Sequence, residues 1–236
     1  MRTGKSGRMA AVLMCALMLG GCGILGGEEA WDPQETALQV RKDGTVTETV
    51  IDTLDQSYYS SQELENMINS SVSEYNQTKG SDAITVDSLS IENNQVNLTM
   101  TYASAEDYAE YNNVRFYNGS MLGAEMDGYL FYNQFKQVED GTVVAEGLSN
   151  EDAIRDKSYQ VLVTDTSHIV RVPGDVVYVS ANGAPTSARD VAPVEDTSTQ
   201  TEGLVLPSSA VYVEEDDSPV TAQDLEKTYL YIIYEF

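Results

Sequence analysis

The sequence predicts an α+β domain in which a mostly antiparallel sheet, built from hairpins, carries one main amphipathic helix. Two-residue turn signals recur between runs of alternating or β-branched residues, and one long segment has helical spacing behind a capping signal. The composition, 42% hydrophobic and 22% charged, is that of a globular chain. At 236 residues the chain is long enough for one domain with a large core and extensions.

The first hairpin and the main helix lie near the start of this domain. The hairpin is predicted over residues 36–53 and turns at Asp43-Gly44, a dipeptide typical of two-residue loops. The helix is predicted over residues 60–77, because Ser60 and Glu63 have the spacing of a capping box. Its expected inward face consists of apolar residues at helical spacing: Leu64, Met67, Ile68, Val72 and Tyr75.

Two further hairpins and a short helix continue the pattern. One hairpin is predicted over residues 83–102 with its turn at Asn93-Asn94, and another over 134–146 with its turn at Asp140-Gly141. Between them, Ser104 is placed to cap a short helix that ends near residue 112. Three more strands are expected at 159–164, 168–172 and 175–180.

The last two segments differ sharply in character. Residues 182–203 are rich in proline, serine, threonine and acidic residues, which predicts a disordered insertion. Residues 228–236 are β-branched and aromatic, with neither glycine nor proline, which predicts a strand. So apolar a strand would promote aggregation if it were an exposed edge. We therefore expect it to pair inside the sheet.

A short apolar run near the N-terminus ends at a cysteine. Residues 1–8 carry three basic and no acidic side chains, and the apolar run Met9–Leu19 is too short to span a membrane. The following Leu19-Gly20-Gly21-Cys22 resembles the lipobox of bacterial lipoproteins. The resemblance implies that Cys22 receives a diacylglyceryl group and that residues 1–21 are removed as a signal peptide.

The resemblance also implies how the chain is divided and where in the cell it is located. Residues 22–34 become a lipidated, glycine-rich tether, and residues 35–236 a single ectodomain at the extracytoplasmic face of the cell membrane, as on a Gram-positive surface. The alternative is an uncleaved anchor, although the five glycines within residues 20–27 disfavour a helix there. The body resembles uncharacterised lipoproteins of Gram-positive anaerobes, and this likeness implies no activity.

The charge balance restricts the possible partners. The chain has 13 basic and 38 acidic residues, and three of the basic ones precede Cys22, which leaves residues 22–236 with a net charge of −28. Such a surface repels phosphate groups, so the sequence predicts no nucleic-acid binding. It also repels anionic lipid headgroups, so we expect the protein to be attached to the membrane only through the lipid on Cys22. The only other cysteine, Cys15, lies in the signal segment, so the ectodomain has neither disulfides nor a cysteine metal site.

Residues 102–135 are the most distinctive part of the ectodomain. They contain nine of the 20 aromatic residues, with asparagines interleaved. Tyrosine has a large ring with a polar tip, which suits either a recognition surface for a glycan or protein or an aromatic cluster beneath loops. If it is a recognition surface, the expected ligand-binding residues are Tyr108, Tyr111, Asn112, Asn113, Tyr117 and Asn118.

The leading interpretation is a non-enzymatic binding or interaction module, and two alternatives stay open. A carboxylate-based hydrolase acting on wall glycan would use Glu106, Asp107 or Glu110 beside the aromatic residues. A structural or assembly role in the cell envelope would use the acidic body as a spacer. The sequence has no serine-nucleophile elbow and a single histidine, His168, and predicts neither a catalytic motif, a metal site nor a cofactor.

Overall fold

Hairpins and one long helix organise the structure. The computed structural model describes residues 31–54, 60–149, 151, 158–194 and 228–236. These residues confirm the predicted α+β class. The predicted signal peptide lies outside them, as does most of the predicted tether. Within these ranges no helix combines the length and the hydropathy needed to cross a membrane.

The described ranges contain thirteen strands, all within the predicted ectodomain. In chain order they are β1 (Ala37–Val40), β2 (Val46–Thr53), β3 (Ile84–Glu92), β4 (Gln95–Tyr102), β5 (Phe116–Ser120), β6 (Phe135–Glu139), β7 (Thr142–Leu148), β8 (Gln160–Thr164), β9 (Ile169–Arg171), β10 (Asp175–Ser180), β11 (Gly183–Pro185), β12 (Asp190–Pro193) and β13 (Leu230–Glu235). The turns of the two later hairpins have positive φ at both central residues, as type I′ turns require: Asn93 (52°), Asn94 (67°), Asp140 (48°) and Gly141 (75°).

The strands form two sheets. The first has the order β11-β12-β9-β1-β2-β4-β3, and the second has the order β5-β8-β13-β10-β6-β7. All pairings are antiparallel except that of β1 with β9. As expected, the apolar strand β13 lies inside a sheet, between β8 and β10.

The main helix, α1 (Ser61–Lys79), begins at the predicted cap. The Ser60 hydroxyl accepts a hydrogen bond from the Glu63 backbone N–H at 3.3 Å. Ile68 and Val72 are buried, and Leu64 packs beside them. Met67, which the spacing also places inward, is 62% exposed. It lies at the margin of the stripe, because successive residues are about 100° apart around a helix, and Met67 is therefore turned well away from the buried Ile68.

The larger core collects side chains from both sheets and α1. Alternate residues of β13 divide between this core and a second one, because neighbouring side chains on a strand point to opposite faces. Leu230, Ile232 and Tyr234 belong to the larger core, whereas Tyr231 and Ile233 belong to the smaller. The smaller core lies on the opposite face of the second sheet and includes Met121, Ala124, Phe131, Phe135, Val161 and Val163.

Part of the predicted disordered insertion is ordered. Residues 183–193 contain β11 and β12, and the remainder from 195 to 203 lies outside the described residues. The order has a specific cause, since the buried Asp190 carboxylate accepts two hydrogen bonds from the Arg171 guanidinium at 2.6 and 2.8 Å. Ser187 donates a third at 2.8 Å. The polar composition of residues 182–203 does not indicate that a carboxylate in this segment pairs with an arginine outside it.

Candidate functional site

The short helix α2 (Ala105–Asn112) carries four of the six residues predicted to bind a ligand, if its C-terminal cap is included. It begins at Ser104, whose hydroxyl accepts a hydrogen bond from the Asp107 backbone N–H at 3.1 Å. It ends at Asn113, which has a φ of 53°. Asparagine tolerates this left-handed conformation better than most residues, so Asn113 has a clear local role as the helix cap.

Tyr108, Tyr111 and Asn112 pack against the larger core. The Tyr108 side chain is only 1% exposed, and its ring centroid lies 5.1 Å from that of Tyr102 in an edge-to-face contact. The Tyr111 ring contacts Tyr102 as well, at 6.0 Å. The Asn112 amide donates hydrogen bonds to the Tyr102 hydroxyl and the Tyr108 carbonyl, both at 3.2 Å. These contacts stabilise the junction of α2 with the first sheet.

Tyr117 and Asn118 are neighbours on β5 and point to opposite faces. Asn118 accepts a hydrogen bond from the Tyr234 hydroxyl at 2.9 Å on the side of the larger core. Tyr117 faces the smaller core, where its ring centroid is 5.6 Å from that of Tyr129. The structure therefore does not bring the six predicted residues together on one surface. Ligand binding by them stays a prediction.

The three candidate hydrolase carboxylates lie on α2, and two of them connect it to α1. The Lys79 ammonium contacts the Glu110 carboxylate at 2.6 Å, and the Tyr75 hydroxyl donates to Asp107 at 3.2 Å and to Glu110 at 3.1 Å. Lys79 and Tyr75 together hold the pKa of Glu110 below its usual value. A general acid needs a raised pKa, so this environment suits a structural contact better. Glu106 is exposed.

A buried carboxyl group that the sequence analysis did not select lies nearby. Glu48 is 7% exposed and occupies the inward-facing position between Val46 and Val50 of β2. Its carboxylate accepts a hydrogen bond from the Tyr102 hydroxyl at 2.7 Å and another from Tyr108. Burial raises the pKa of Glu48, and these two hydroxyls only partly oppose the effect. The sequence does contain a signal for this residue. In the alternating pattern of β2, Glu48 occupies an inward-facing position where an apolar residue is expected.

Replacing Glu48 with Gln should flatten the dependence of stability on pH. Because the folded state raises the pKa of Glu48, its protonated form contributes stability fully below the unfolded pKa, near 4.3, and this contribution is lost as pH rises through the folded pKa. Glu48→Gln keeps an acceptor for Tyr102 and removes the buried charge. Urea unfolding across pH 4–8 should show the variant gaining stability relative to the wild type as pH rises. Parallel curves would contradict this assignment.

A third helix and the loop after it form an exposed apolar surface. Helix α3 (Met121–Met126) is capped by the Ser120 hydroxyl, which accepts from the Gly123 backbone N–H at 3.0 Å. It buries Met121 and Ala124 but leaves Leu122 59% and Met126 80% exposed. Leu130 and Tyr132 of the loop are 50% and 41% exposed. We call these four side chains, Leu122, Met126, Leu130 and Tyr132, the α3 surface.

Phe131 fixes the loop that carries half of the α3 surface. Its φ of 53° is unusual for a bulky residue and costs backbone energy. Its ring is 1% exposed and lies 5.0 Å from that of Tyr231 in the smaller core. Asn133 adds a hydrogen bond from its amide to the Tyr229 carbonyl at 2.9 Å. The flanking residues Leu130 and Tyr132 are thus held outward by neighbours that are buried.

Tyr117 supports α3 from below. Its hydroxyl donates to the Ser120 carbonyl at 3.0 Å and lies against the α-carbons of Gly119 and Gly123. A methyl group on either glycine would collide with that hydroxyl. Of the six residues predicted from sequence, Tyr117 is therefore the one that contributes directly to the support of the α3 surface.

The polar clusters and the α3 surface differ in what they can do chemically. Among the residues whose positions are described, no group of three or more His, Cys, Asp or Glu side chains is arranged to hold a metal ion. The α3 surface offers mainly aliphatic and thioether groups, which favour contact with another apolar surface.

Comparison of the chain with protein-family models, curated proteins and solved structures gave no match.

Proposed function

We propose that the protein is a lipid-anchored binding module at the outer face of the cell membrane, and that it binds a protein partner through the α3 surface without catalysing a reaction. One observation carries the proposal. Eight large hydrophobic side chains are exposed among the described residues, and four of them lie between residues 122 and 132. Exposed apolar side chains scattered singly are ordinary, whereas a concentration of them is typical of an interaction site.

The chemistry of the α3 surface favours a protein over a glycan as its ligand. Leu122 and Leu130 have no side-chain donors or acceptors for sugar hydroxyls, and the thioether sulfur of Met126 is only a weak acceptor. Methionine and leucine instead gain free energy by excluding water from an apolar partner. Phe131 and Asn133 already hold the loop in place, which reduces the entropy that binding must cost.

The proposed anchor is the lipid on Cys22. Two acyl chains give durable attachment at about 0.8 kcal/mol per buried CH₂ group, which a single chain does not. The residues between Cys22 and β1 would then act as a tether that separates an acidic body from the membrane. On this proposal the membrane is reached through the lipid, and the α3 surface is left for the partner.

Site-specific photo-crosslinking on intact cells tests the proposed surface. A crosslinker at Met126 should yield a discrete protein adduct, because that side chain is the most exposed of the four. A crosslinker at Met67, which is also well exposed but lies on α1, is the matched control and should give none. Adding Leu122→Ser should remove the Met126 adduct without changing thermal unfolding.

Two results would count against the surface. Equal adducts from positions 67 and 126 would show that the crosslinks report collisions at the cell surface. An adduct from position 126 that survives both Leu122→Ser and Tyr132→Ser would show that the apolar side chains do not contribute to binding.

A further inference from the structure

Glu48 is enclosed between the first sheet and α2. Its strand, β2, pairs with β1 on one side and β4 on the other, and the residues directly across from Glu48 are the apolar Leu38 and Met100. Its carboxylate accepts hydrogen bonds from Tyr102 of β4 and Tyr108 of α2. Because β2 and β4 are both interior strands, α2 is the part of this enclosure that can separate without breaking strand pairing.

The anchor of α2 is the residue that covers Glu48. The helix has eight residues, and a helix of this length depends on packing for its stability. Tyr108 is its one buried residue, and the hydroxyl of that residue contacts Glu48. At the end of α2 the Asn112 amide donates to the Tyr102 hydroxyl at 3.2 Å, and the same hydroxyl donates to Glu48 at 2.7 Å. The charge on Glu48 therefore acts on the contacts that hold α2 in place.

We propose that Glu48 and α2 form a pH-dependent latch, in which α2 stays closed over the protonated carboxyl group and opens locally when that group ionises. A buried carboxylate is unfavourable without water, and separation of α2 admits water. Opening exposes the Glu48 carboxylate and the Tyr108 ring, which are 7% and 1% exposed in the closed state. The latch is independent of the α3 surface.

The environment of Glu48 gives the direction of the pH dependence. Burial raises its pKa in the closed state, and the two tyrosine hydroxyls only partly oppose this effect. In the open state the carboxyl group is hydrated and returns towards the ordinary pKa of about 4.3. Its contribution to closure is therefore complete below this ordinary value and is lost as pH rises through the pKa of the closed state.

Two tyrosines and an aspartate also lie close to Glu48 or to its cover. Burial and the nearby Glu48 raise the pKa values of Tyr102 and Tyr108, so both hydroxyls stay protonated donors. Asp165 adds to the rise at Tyr108. Burial also raises the pKa of Asp165 itself, against a hydrogen bond from the Arg115 backbone N–H at 3.0 Å. Asp165 is thus a second carboxyl group whose ionisation has the same sign, and the test must distinguish it from Glu48.

The contacts between α2 and α1 respond to pH in the opposite sense. Lys79 and Tyr75 hold the pKa of Glu110 below its usual value, so this contribution to closure is lost as pH falls. Asp107 shares both partners, at 3.7 Å from the Lys79 ammonium and 3.2 Å from the Tyr75 hydroxyl. Opening of α2 at rising pH therefore has its cause on the side of Glu48.

Hydrogen exchange of the full chain, followed by mass spectrometry between about pH 5 and 8, tests the latch. Amides of α2 should exchange faster than those of β13, which lies inside the second sheet and reports global unfolding. After correction for intrinsic exchange rates, protection of α2 should fall as pH rises. The total fall should be about tenfold for each unit by which closure raises the pKa of Glu48. Carbon-13 NMR of labelled glutamate carboxyl groups measures that pKa directly.

Variants identify the group that titrates. Glu48→Gln cannot ionise and should make the protection of α2 independent of pH in this range, whereas Asp165→Asn should keep the dependence. Glu110→Gln is the matched control within α2 and should lower protection by the same factor at each pH, because its contact is intact throughout. Tyr108→Phe keeps the ring but removes a hydroxyl that favours the charged form of Glu48, so the loss of protection should extend to higher pH. Thermal unfolding of each variant checks that the fold is intact.

Several results would overturn the latch. If the protection of α2 is constant while that of β13 falls with pH, Glu48 ionises only when the whole domain unfolds. Equal protection of α2 and β13 at every pH would mean that α2 does not open separately. Loss of the pH dependence in Asp165→Asn rather than in Glu48→Gln would assign the ionisable group to Asp165. An ordinary pKa of Glu48 in the NMR titration would remove the basis of the proposal.

Discussion

Replacing Cys22 with Ala is expected to move the protein completely from the membrane fraction to the soluble extracytoplasmic fraction. The cysteine thiol is the proposed site of the lipid, and alanine has no group to accept it. The remaining body has a net charge of −28 and should not be retained by anionic lipid. Fractionation of cells followed by immunoblotting measures the distribution directly, and mass spectrometry of the wild type should show a diacylglyceryl group on residue 22.

Cys15 provides the matched control for this experiment. It is the only other cysteine and lies in the apolar run, so Cys15→Ala should leave the protein in the membrane fraction. If Cys22→Ala also stays there, the apolar N-terminus is an uncleaved anchor and the lipobox interpretation is wrong. Release of both variants would show that substitutions in the N-terminal segment generally disrupt membrane attachment, and that the effect is not specific to a lipid on Cys22.

Replacing Phe131 with Ala is expected to lower the free energy of unfolding by about 3–5 kcal/mol, the usual range for removing a buried aromatic ring. The ring is 1% exposed and contacts Tyr231, so its removal leaves a cavity in the smaller core. Alanine also keeps the strain of a positive φ, which the native residue tolerates because its ring is buried. Urea unfolding of the full chain measures the change.

Two further variants separate packing from backbone conformation at this loop. Tyr132→Ala removes the adjacent but exposed ring and should change stability by about 0.5 kcal/mol or less. Phe131→Gly should be no less stable than Phe131→Ala, because glycine adopts a positive φ without strain. A loss from Tyr132→Ala equal to that from Phe131→Ala would mean that the ring of Tyr132 is also part of the core, and that the α3 surface is smaller than proposed.

Local patterns allowed much of the fold to be predicted. The turn at Asn93-Asn94 and the cap at Ser60 each depend on residues close in sequence, so the hairpin and α1 could be located. The division into two sheets could not. An alternating strand such as β4 shows which residues face a core but not which strand lies beside it, and the parallel pairing of β1 with β9 joins residues more than a hundred positions apart.

Composition predicted the aromatic region but not the orientation of its side chains. Tyr108 is buried and Tyr132 is exposed, although both are tyrosines in the same stretch of sequence. Tyr108 packs from α2 into the larger core, whereas Tyr132 flanks the buried Phe131 in the loop after α3, and spacing in the sequence does not determine this difference. Glu48 was not predicted from the sequence: a glutamate at an inward-facing position of β2 is a detectable signal, but its partners Tyr102 and Tyr108 come from other elements and could not be identified.

The central position of β1 has a mechanical consequence. A lipid on Cys22 would transmit any pull between membrane and partner through the tether to this strand, which is hydrogen-bonded to β2 on one side and β9 on the other. An edge strand can be peeled away one hydrogen bond at a time. A strand that is paired on both sides separates only when both of its hydrogen-bond ladders break together. Tension should therefore act on the middle of the first sheet and should not separate its edge strands one hydrogen bond at a time.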